Sequence, residues 1–278
     1  MSRLTVKKTY KLFIGGKFPR SESGRTLTLA DGKGGFVANI SRASRKDFRN
    51  AVEAAEKAQA AWAGTTAYLK GQILYRVAEV LEGRAGQFVA ELKEQGWTKA
   101  RAEKEVEAAI DLWVHYAGWS DKYSAVFSSV NPVAGPHVNF SVPEPVGVVA
   151  GIVNNKGGLL ALSACLAPLI VGGNSVVVLA SEKAPLSAIS LAEVLATSDV
   201  PGGVVNILTG QRAELLSEMA KHMAVKGLWL PEASDEERKT AGELAAENLK
   251  RVSFAEETGP ERIMDFQEIK TTWHPVGV

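Results

Sequence analysis

The segment VGVVAGIVNNKGGLLALSACLAPLIVGGNSVVVLA, residues 146–180, joins two short apolar runs through a glycine-containing turn and an apolar helical stretch. Parallel neighbouring strands need a crossover connection, and a strand covered on both faces is a continuous apolar run. The segment is therefore typical of a βαβ unit. Three further apolar runs, VVNILTG, VKGLWL and RVSFA, each follow a stretch with helical spacing. These strands and helices predict an α/β fold with a Rossmann-like parallel sheet and flanking helices over residues 146–262.

The residues before the sheet are predicted to be largely helical. Ser44 followed by Asp47 is typical of a capping box at a helix N-terminus. Apolar residues then recur at helical spacing through residues 44–125, which indicates helical hairpins. The next stretch, residues 129–147, is rich in proline and turn residues and predicts a boundary near residue 145.

Two stretches outside the sheet are predicted to be extended. Residues 10–31 alternate apolar and polar residues around the turn dipeptide Gly15-Gly16, which indicates a small β-hairpin arm. Residues 266–278 contain a second alternating pattern and predict a lone strand, which needs a neighbouring strand to pair with. The alternating residues of that strand are Ile269, Thr271 and Trp273.

Composition excludes several classes of protein. The chain has 278 residues, of which 46% are hydrophobic, enough to fill a sizeable core. Its 32 basic and 31 acidic residues give a formal charge of +1, which predicts neither a nucleic-acid partner nor an anionic membrane partner. Cys165 is the single cysteine, and we see no apolar signal core at the start and no long uncharged run. We therefore expect a cytoplasmic globular protein.

Several phrases, in this order, resemble the aldehyde dehydrogenase superfamily: FSVPEPVGVVAGIV, LAPLIVGGNSVVVLASEKAPLSA, DVPGGVVNILTG and LKRVSFAEE. The closing IKTTWHPVGV is similar to the family's C-terminal oligomerisation strand, so the resemblance runs from about Tyr10 to the end. In the family a catalytic domain lies between the last Rossmann strand and the terminal strand, and the resemblance implies that this domain is absent here. The chain is most similar to the truncated second repeat of the aldehyde dehydrogenase 16 class.

The resemblance implies three parts of the chain. The first is the hairpin arm with the helical segment, which is expected to pack on the Rossmann-like unit. The second is the NAD-binding-type Rossmann-like domain, and the third is the oligomerisation strand. These parts are expected to occupy residues 1–145, 146–262 and 263–278.

The catalytic positions implied by the resemblance are replaced. Lys156 lies where the family has the asparagine that stabilises the oxyanion, and Ala255 lies where it has the general base. Glu256 follows Ala255, but successive side chains of a strand point to opposite faces, so Glu256 is a poor substitute. The family's nucleophile belongs to the absent domain. Cys165 lies within an apolar helical stretch, where a thiol is buried and unreactive, so we expect it to pack in the core.

The cofactor contacts implied by the resemblance are only partly retained. Ala180 replaces the family's ribose-binding lysine, and LPEASDEER, residues 230–238, replaces the phosphate-binding loop with acidic residues that repel a phosphate. We therefore expect no cofactor, with NAD or NADP as the alternative. The four histidines are scattered, so we expect no metal site. The remaining candidate contacts for a nucleotide are Lys156, Glu182, Lys183, Thr209 and Gly210.

Three functions are compatible with these residues. The first, which we expect, is a non-catalytic aldehyde dehydrogenase-like pseudoenzyme with a structural, oligomerisation or regulatory role. It would form a homodimer, or a hetero-oligomer with a full-length aldehyde dehydrogenase, through its terminal strand. The second is a ligand- or nucleotide-binding module that uses the crevice at the strand ends. The third is an NAD(P)-dependent aldehyde dehydrogenase that acts only with a partner subunit.

Overall fold

The computed structural model describes residues 7–31, 34–155 and 157–277. The strands are β1 (Thr26–Ala30), β2 (Phe36–Ser41), β3 (Ser129–Asn131), β4 (His137–Pro145), β5 (Val148–Ile152), β6 (Ser175–Leu179), β7 (Val205–Leu208), β8 (Val225–Trp229), β9 (Arg251–Ser253) and β10 (Gln267–Pro275). The helices are α1 (Arg45–Ala63), α2 (Ala67–Gly83), α3 (Ala85–Glu94), α4 (Lys99–Trp119), α5 (Tyr123–Phe127), α6 (Leu159–Val171), α7 (Pro185–Ala196), α8 (Arg212–Lys221), α9 (Asp235–Ala245) and α10 (Glu261–Met264), with a 3-10 turn at Ala246–Asn248.

The parallel sheet predicted from the apolar runs is confirmed. Its strand order is β7-β6-β5-β8-β9, and every neighbouring pair is parallel. Helices α6, α7, α8 and α9 connect the successive strands. The fold is therefore the α/β, Rossmann-like arrangement expected from the sequence.

The predicted N-terminal turn is present, and the segment around it packs on the parallel sheet. Ile14 and Lys17 exchange backbone hydrogen bonds of 2.9 and 3.0 Å across Gly15-Gly16, where both glycines have positive φ. Phe13 then forms an antiparallel bridge with β7, and its side chain is buried. Because the apolar side chain lies in the core, the segment covers the edge of the chain's own sheet. The regular antiparallel hairpin is β1 with β2.

The predicted helical segment contains α1 to α4, and α3 was not distinguished from the sequence. The capping box at the start of α1 is confirmed: the Asp47 carboxylate accepts the Ser44 N–H at 2.7 Å, and the Asp47 N–H donates to the Ser44 hydroxyl at 3.3 Å. Such a cap is worth about 1 kcal/mol. Among the helices of the described ranges, none is long and apolar enough to cross a membrane.

The stretch predicted as a boundary contains two strands that were missed. Residues 129–147 include β3 and β4, which pair antiparallel. The predicted terminal strand is present as β10, and the neighbour that it requires is β4, with which it pairs antiparallel from Gln267 to Pro275. The order of this second sheet is β10-β4-β3, which leaves β10 at its edge.

Strand β5 is covered on both faces, as its continuous apolar sequence requires. Val149 faces α6 in one cluster of buried residues, whereas Val148 and Ala150 belong to the cluster formed with α1 and α8. The indole N–H of Trp62 in α1 donates to the Ile170 carbonyl of α6 at 2.9 Å. The helical segment is thereby tied to the sheet's crossover helix.

A short linker, residues 254–266, connects the last parallel strand to β10. The guanidinium of Arg262 in this linker is buried and lies 5.2 Å from the Trp229 ring, and it forms an ion pair with Asp265. The Phe266 ring lies so close to Gly227 of β8 that a Cβ at residue 227 would overlap it. The linker therefore packs directly on the sheet.

We expect Gly227→Ala to destabilise the protein by about 1–3 kcal/mol, because the added methyl group would displace the Phe266 ring. The measurement is the free energy of unfolding in urea.

The matched control is Gly242→Ala, in the interior of α9, where an added Cβ meets no atom within 4 Å. This substitution should stabilise the protein by about 0.5–1 kcal/mol through helix propensity. If both substitutions had the same effect, the linker would not be packed on β8 as described.

Candidate functional site

The candidate site lies at the carboxyl ends of the parallel strands, where the strand order reverses. The chain passes from β5 to β6 and β7 on one side and then to β8 and β9 on the other. Open α/β sheets bind ligands in the crevice at such a point. The turns that follow β5, β6, β7 and β8 are therefore the walls of the crevice.

The turn after β5 is held by its own asparagines. The side-chain oxygen of Asn154 accepts the N–H of Gly157 at 2.6 Å, and that of Asn155 accepts the N–H of Glu182 at 3.1 Å. Lys156, the predicted replacement for the oxyanion-binding asparagine, lies outside the described residues. The two asparagine amides thus bind backbone groups of the two neighbouring turns.

The N-terminus of α6 is occupied by a carboxylate from another helix. Glu105 of α4 accepts the N–H of Leu160 at 3.0 Å. Burial raises the pKa of Glu105, whereas its backbone hydrogen bonds from Leu160 and Gly158 act in the opposite direction. The N-terminus of a crossover helix can bind an anion because its N–H groups are unpaired. In this chain an internal carboxylate already fills that place.

An ion pair spans the crevice between α8 and α9. The Arg212 guanidinium donates to both carboxylate oxygens of Glu237, at 2.6 and 3.0 Å. The backbone N–H of Arg212 donates to Glu182 at 2.8 Å. Partial burial raises the pKa of Glu237, but the hydrogen bonds from Arg212 and Ser234 outweigh it and lower the pKa below its usual value. Glu182, a predicted cofactor contact, is therefore part of an internal network.

The other predicted cofactor contacts do not meet in one place. The Thr209 hydroxyl donates to the Ser41 carbonyl at 2.6 Å, and the Thr209 carbonyl accepts the N–H of Ala43 at 2.8 Å. Gly210 packs against Ala43, where an added Cβ would lie 3.3 Å from the backbone nitrogen. Both residues hold the segment between β2 and α1. Lys183 is exposed.

The turn after β8 begins a helix with strong capping. Ser234 and Glu237 form a capping box, and Asp235, Glu236 and Glu237 stand in the first turn of α9. These acids interact favourably with the positive end of the helix dipole. They also place negative charge where the resemblance expects a phosphate.

Ala255, which lies after β9 where the resemblance places the general base, contacts the sheet through its backbone. The Ala255 carbonyl accepts the indole N–H of Trp229 at 2.8 Å. The carboxylate of the exposed Glu256 accepts the backbone N–H of Glu232 at 3.2 Å, which ties it to the turn after β8. An alanine side chain has no group that takes a proton.

Cys165 lies in the core, between α6 and the sheet. A Cβ on Gly151 of β5 would come within 2.6 Å of its sulfur, so glycine is the residue that leaves room for the thiol. Burial raises the pKa of Cys165 to about 12, with a smaller opposing effect of Arg262. A neutral buried thiol is a poor nucleophile. In the described ranges no three histidine, cysteine, aspartate or glutamate residues form a group that could hold a metal ion.

The predicted oligomerisation residues share one face of β10. The side chains of Ile269 and Trp273 are 54% and 61% exposed, which is unusual for large apolar groups. Thr271 lies between them, and its hydroxyl is 2.8 Å from that of Ser141 on β4. The structure places these three residues on an edge strand.

A sequence model described as the aldehyde dehydrogenase family matches residues 20–261 of this chain. The chain belongs to the aldehyde dehydrogenase family. It is 30% identical to mouse cytosolic 10-formyltetrahydrofolate dehydrogenase over 261 residues, which are 91% of this chain and 29% of that protein. It is 31% identical to mitochondrial benzaldehyde dehydrogenase of Antirrhinum majus over 253 residues, 88% of this chain and 46% of that protein.

A solved structure of an aldehyde dehydrogenase also matches this chain over only part of its length. A putative aldehyde dehydrogenase from Burkholderia cenocepacia superposes with a TM-score of 0.84 at 28% identity, over 88% of this chain and 50% of that chain. The chain therefore spans about half the length of that structure, and half or less of the two curated relatives.

Two residues that contact the walls of the crevice in this aldehyde dehydrogenase-family chain were not predicted from the sequence. Glu105 lies 55 residues from Leu160, whose N–H it accepts. Arg212 stands at the start of α8, 25 residues from Glu237. A carboxylate on a predicted helix face and an arginine at a helix start are common on protein surfaces, so neither pattern indicates such a contact.

We expect Arg212→Met to lower the free energy of unfolding by about 1 kcal/mol at neutral pH, because it removes charge-assisted hydrogen bonds to a partly buried carboxylate whose ion pair solvent screens in part. Since the folded state lowers the pKa of Glu237, this contribution is present above the unfolded value near 4.5 and is lost as pH falls through the folded pKa. The measurement is urea unfolding between pH 3 and 7.

The control is Lys239→Met, which removes an exposed pair with Glu243 on the same helix. Its effect should remain within about 0.5 kcal/mol. If both variants lost the same free energy of unfolding, the Arg212–Glu237 contact would not stabilise the packing of α8 against α9.

We also expect Cys165 to resist a thiol reagent such as DTNB in the folded protein, because its thiol is buried and neutral. The rate at which DTNB labels Cys165 should equal the rate at which the protein unfolds. In Lys183→Cys the new, exposed thiol should react within seconds, and rapid labelling of the wild-type chain would show that Cys165 is accessible.

Proposed function

We propose that this aldehyde dehydrogenase-family chain is non-catalytic and has a structural, oligomerisation or regulatory role in the cytoplasm. The observation that carries the proposal is the Arg212–Glu237 ion pair across the crevice. A phosphate would be the natural partner of that guanidinium. Here the charge is matched by a carboxylate on the same chain, so a nucleotide would have to displace it.

The rest of the crevice supports the same proposal. The Glu105 carboxylate at the N-terminus of α6 and the acids at the start of α9 repel an anionic ligand. Ala255 cannot act as a base, and Cys165 lies in the core with a raised pKa. Among the described residues, the positions that we compared with the family's base and with a nucleophilic thiol, Ala255 and Cys165, therefore favour a non-catalytic chain.

Assembly is the role that the remaining surface supports. Strand β10 stands at the edge of its sheet and has exposed apolar side chains. Edge strands of this kind pair with other chains. We propose that the chain forms a homodimer, or a hetero-oligomer with a full-length aldehyde dehydrogenase. Its resemblance to the truncated second repeat of the aldehyde dehydrogenase 16 class agrees with this role.

The two alternative functions, nucleotide binding and dehydrogenase activity with a partner, each require something more than the structure of this chain provides. A nucleotide-binding module would require the Arg212–Glu237 pair to open, with exposed Lys183 as an available cation. A dehydrogenase that acts with a partner would require that partner to supply both the nucleophile and the base. We therefore rank both below assembly.

The test is isothermal titration of NAD and NADP into the purified chain, with its mass determined by sedimentation on the same sample. We expect no binding and a mass of two or more chains. A full-length aldehyde dehydrogenase titrated in parallel is the positive control. Binding in the micromolar range, or NADH formation above that of a partner enzyme alone, would contradict the proposal.

A further inference from the structure

Strand β10 has one bonded edge and one open edge. The N–H of Val146 donates to the Phe266 carbonyl at 3.3 Å, and the N–H of Val276 donates to the Pro136 carbonyl at 2.9 Å. In an antiparallel ladder, bonded positions recur every second residue. The even-numbered residues of β10 therefore direct their backbone groups toward β4, and the odd-numbered residues direct theirs outward.

Two further observations agree with this assignment. Pro143 and Pro145 of β4, which have no N–H, stand opposite Ile269 and Gln267. The outward carbonyl of Gln267 accepts the guanidinium of Arg251 instead of a strand neighbour. Both facts fit odd-numbered residues whose backbone groups face away from β4.

The open edge is thus formed by residues 269, 271 and 273. In the described part of the chain no strand pairs with this side of β10. The strand runs for nine residues, from Gln267 to Pro275, longer than the usual five or six. Proteins usually shorten or blunt such an edge unless it has a partner.

We propose that β10 pairs with β10 of a second copy of this chain, antiparallel and centred on Thr271, which deepens the proposed function by naming its partner. In this register Thr271 faces its own copy, and Ile269 faces Trp273 of the second chain. Because all three residues direct their backbone groups outward, every outward N–H and C=O of the three finds a partner. The product is a continuous sheet in the order β3-β4-β10-β10-β4-β3.

The side chains on the two faces of β10 fit this register. On one face Ile269 packs against Trp273 of the second copy, twice, and covers side chains that are 54% and 61% exposed in the single chain. On the other face the Glu268 carboxylate, which also lies 3.8 Å from the Arg251 guanidinium, meets the imidazole of His274. Lys270 meets Thr272 and keeps its ion pair with Glu144.

The neighbouring registers are worse. A centre at Lys270 places two lysine ammonium groups directly opposite each other, which is destabilising. A centre at Thr272 places Ile269 opposite Pro275, which has no N–H to return. It also sets Lys270 opposite His274, so a basic side chain faces another basic side chain.

Cysteine substitution tests the register in the full-length chain. Thr271→Cys should form a disulfide-linked dimer on mild oxidation, because directly opposed residues have Cα atoms about 5.5 Å apart. Thr272→Cys is the matched control, since residues 272 of the two copies are diagonal neighbours at about 7–8 Å and cross-link poorly. Buried Cys165 does not compete for oxidation. Cross-linking at residue 272 equal to that at 271 would overturn the register.

Thr271→Pro tests whether the open edge makes the contact. The substitution removes an outward N–H and the hydroxyl contact with Ser141, but no backbone bond of the β4 ladder, so the melting temperature of the single chain should fall by no more than a few degrees. The dimer dissociation constant should rise about tenfold or more, measured by sedimentation across protein concentrations.

The results of these experiments can overturn β10 pairing without overturning the proposed function. A wild-type dimer that survives Thr271→Pro and does not cross-link at residue 271 overturns β10 pairing and leaves an assembly role in place. A wild-type chain that is monomeric at every concentration also overturns the pairing. Binding of NAD in the titration above contradicts the proposed function, whatever β10 does.

Discussion

The structure depends on the burial of β5 on both faces. Its backbone pairs with β6 on one side and with β8 on the other, and its alternate side chains face α6 or the layer of α1 and α8. A strand without a solvent face requires helices above and below it, and it requires crossovers that return each neighbour in the same direction. The crevice follows from this arrangement, because the strand order reverses where the chain leaves β5 and later comes back beside it.

The packing of β5 is sufficient to determine this fold, whatever the crevice binds. A sheet of this kind always leaves helix N-termini and turns around its carboxyl edge, and their N–H groups need acceptors. In a dinucleotide-binding member of such a fold a ligand can provide them. In this chain Glu105, Asn154, Asn155 and Glu182 provide them instead. In the described part of the crevice, these backbone N–H groups therefore have acceptors within the chain itself.

The sequence predicted the features that local pattern determines and missed those that depend on distant contacts. The capping box at Ser44 and the five strands of the parallel sheet follow from neighbouring residues, and both are confirmed, although β9 at the sheet edge is only partly buried. The β4–β10 ladder joins residues more than 120 positions apart, and the prolines of β4 hid a strand in a stretch typical of a linker. The contacts of Glu105 and Arg212 could be identified only from the structure, because their partners are distant in sequence. Of the predicted cofactor contacts, Thr209 and Gly210 proved to hold another segment, because a hydroxyl and a glycine suit tight packing as well as ligand binding.

The pairing of β4 with β10 also affects how the molecule is made. During synthesis β4 leaves the ribosome long before β10, so one of its edges stays unpaired while the whole parallel sheet is produced. Contacts between segments so far apart in sequence form late, and an open strand edge in a partly folded chain invites aggregation. Pro143 and Pro145 have no N–H on the opposite edge of β4, beyond the residues that pair with β3, so that edge offers fewer donors to another chain. The edge toward β10 keeps its donors, and its protection depends on the synthesis of β10 itself.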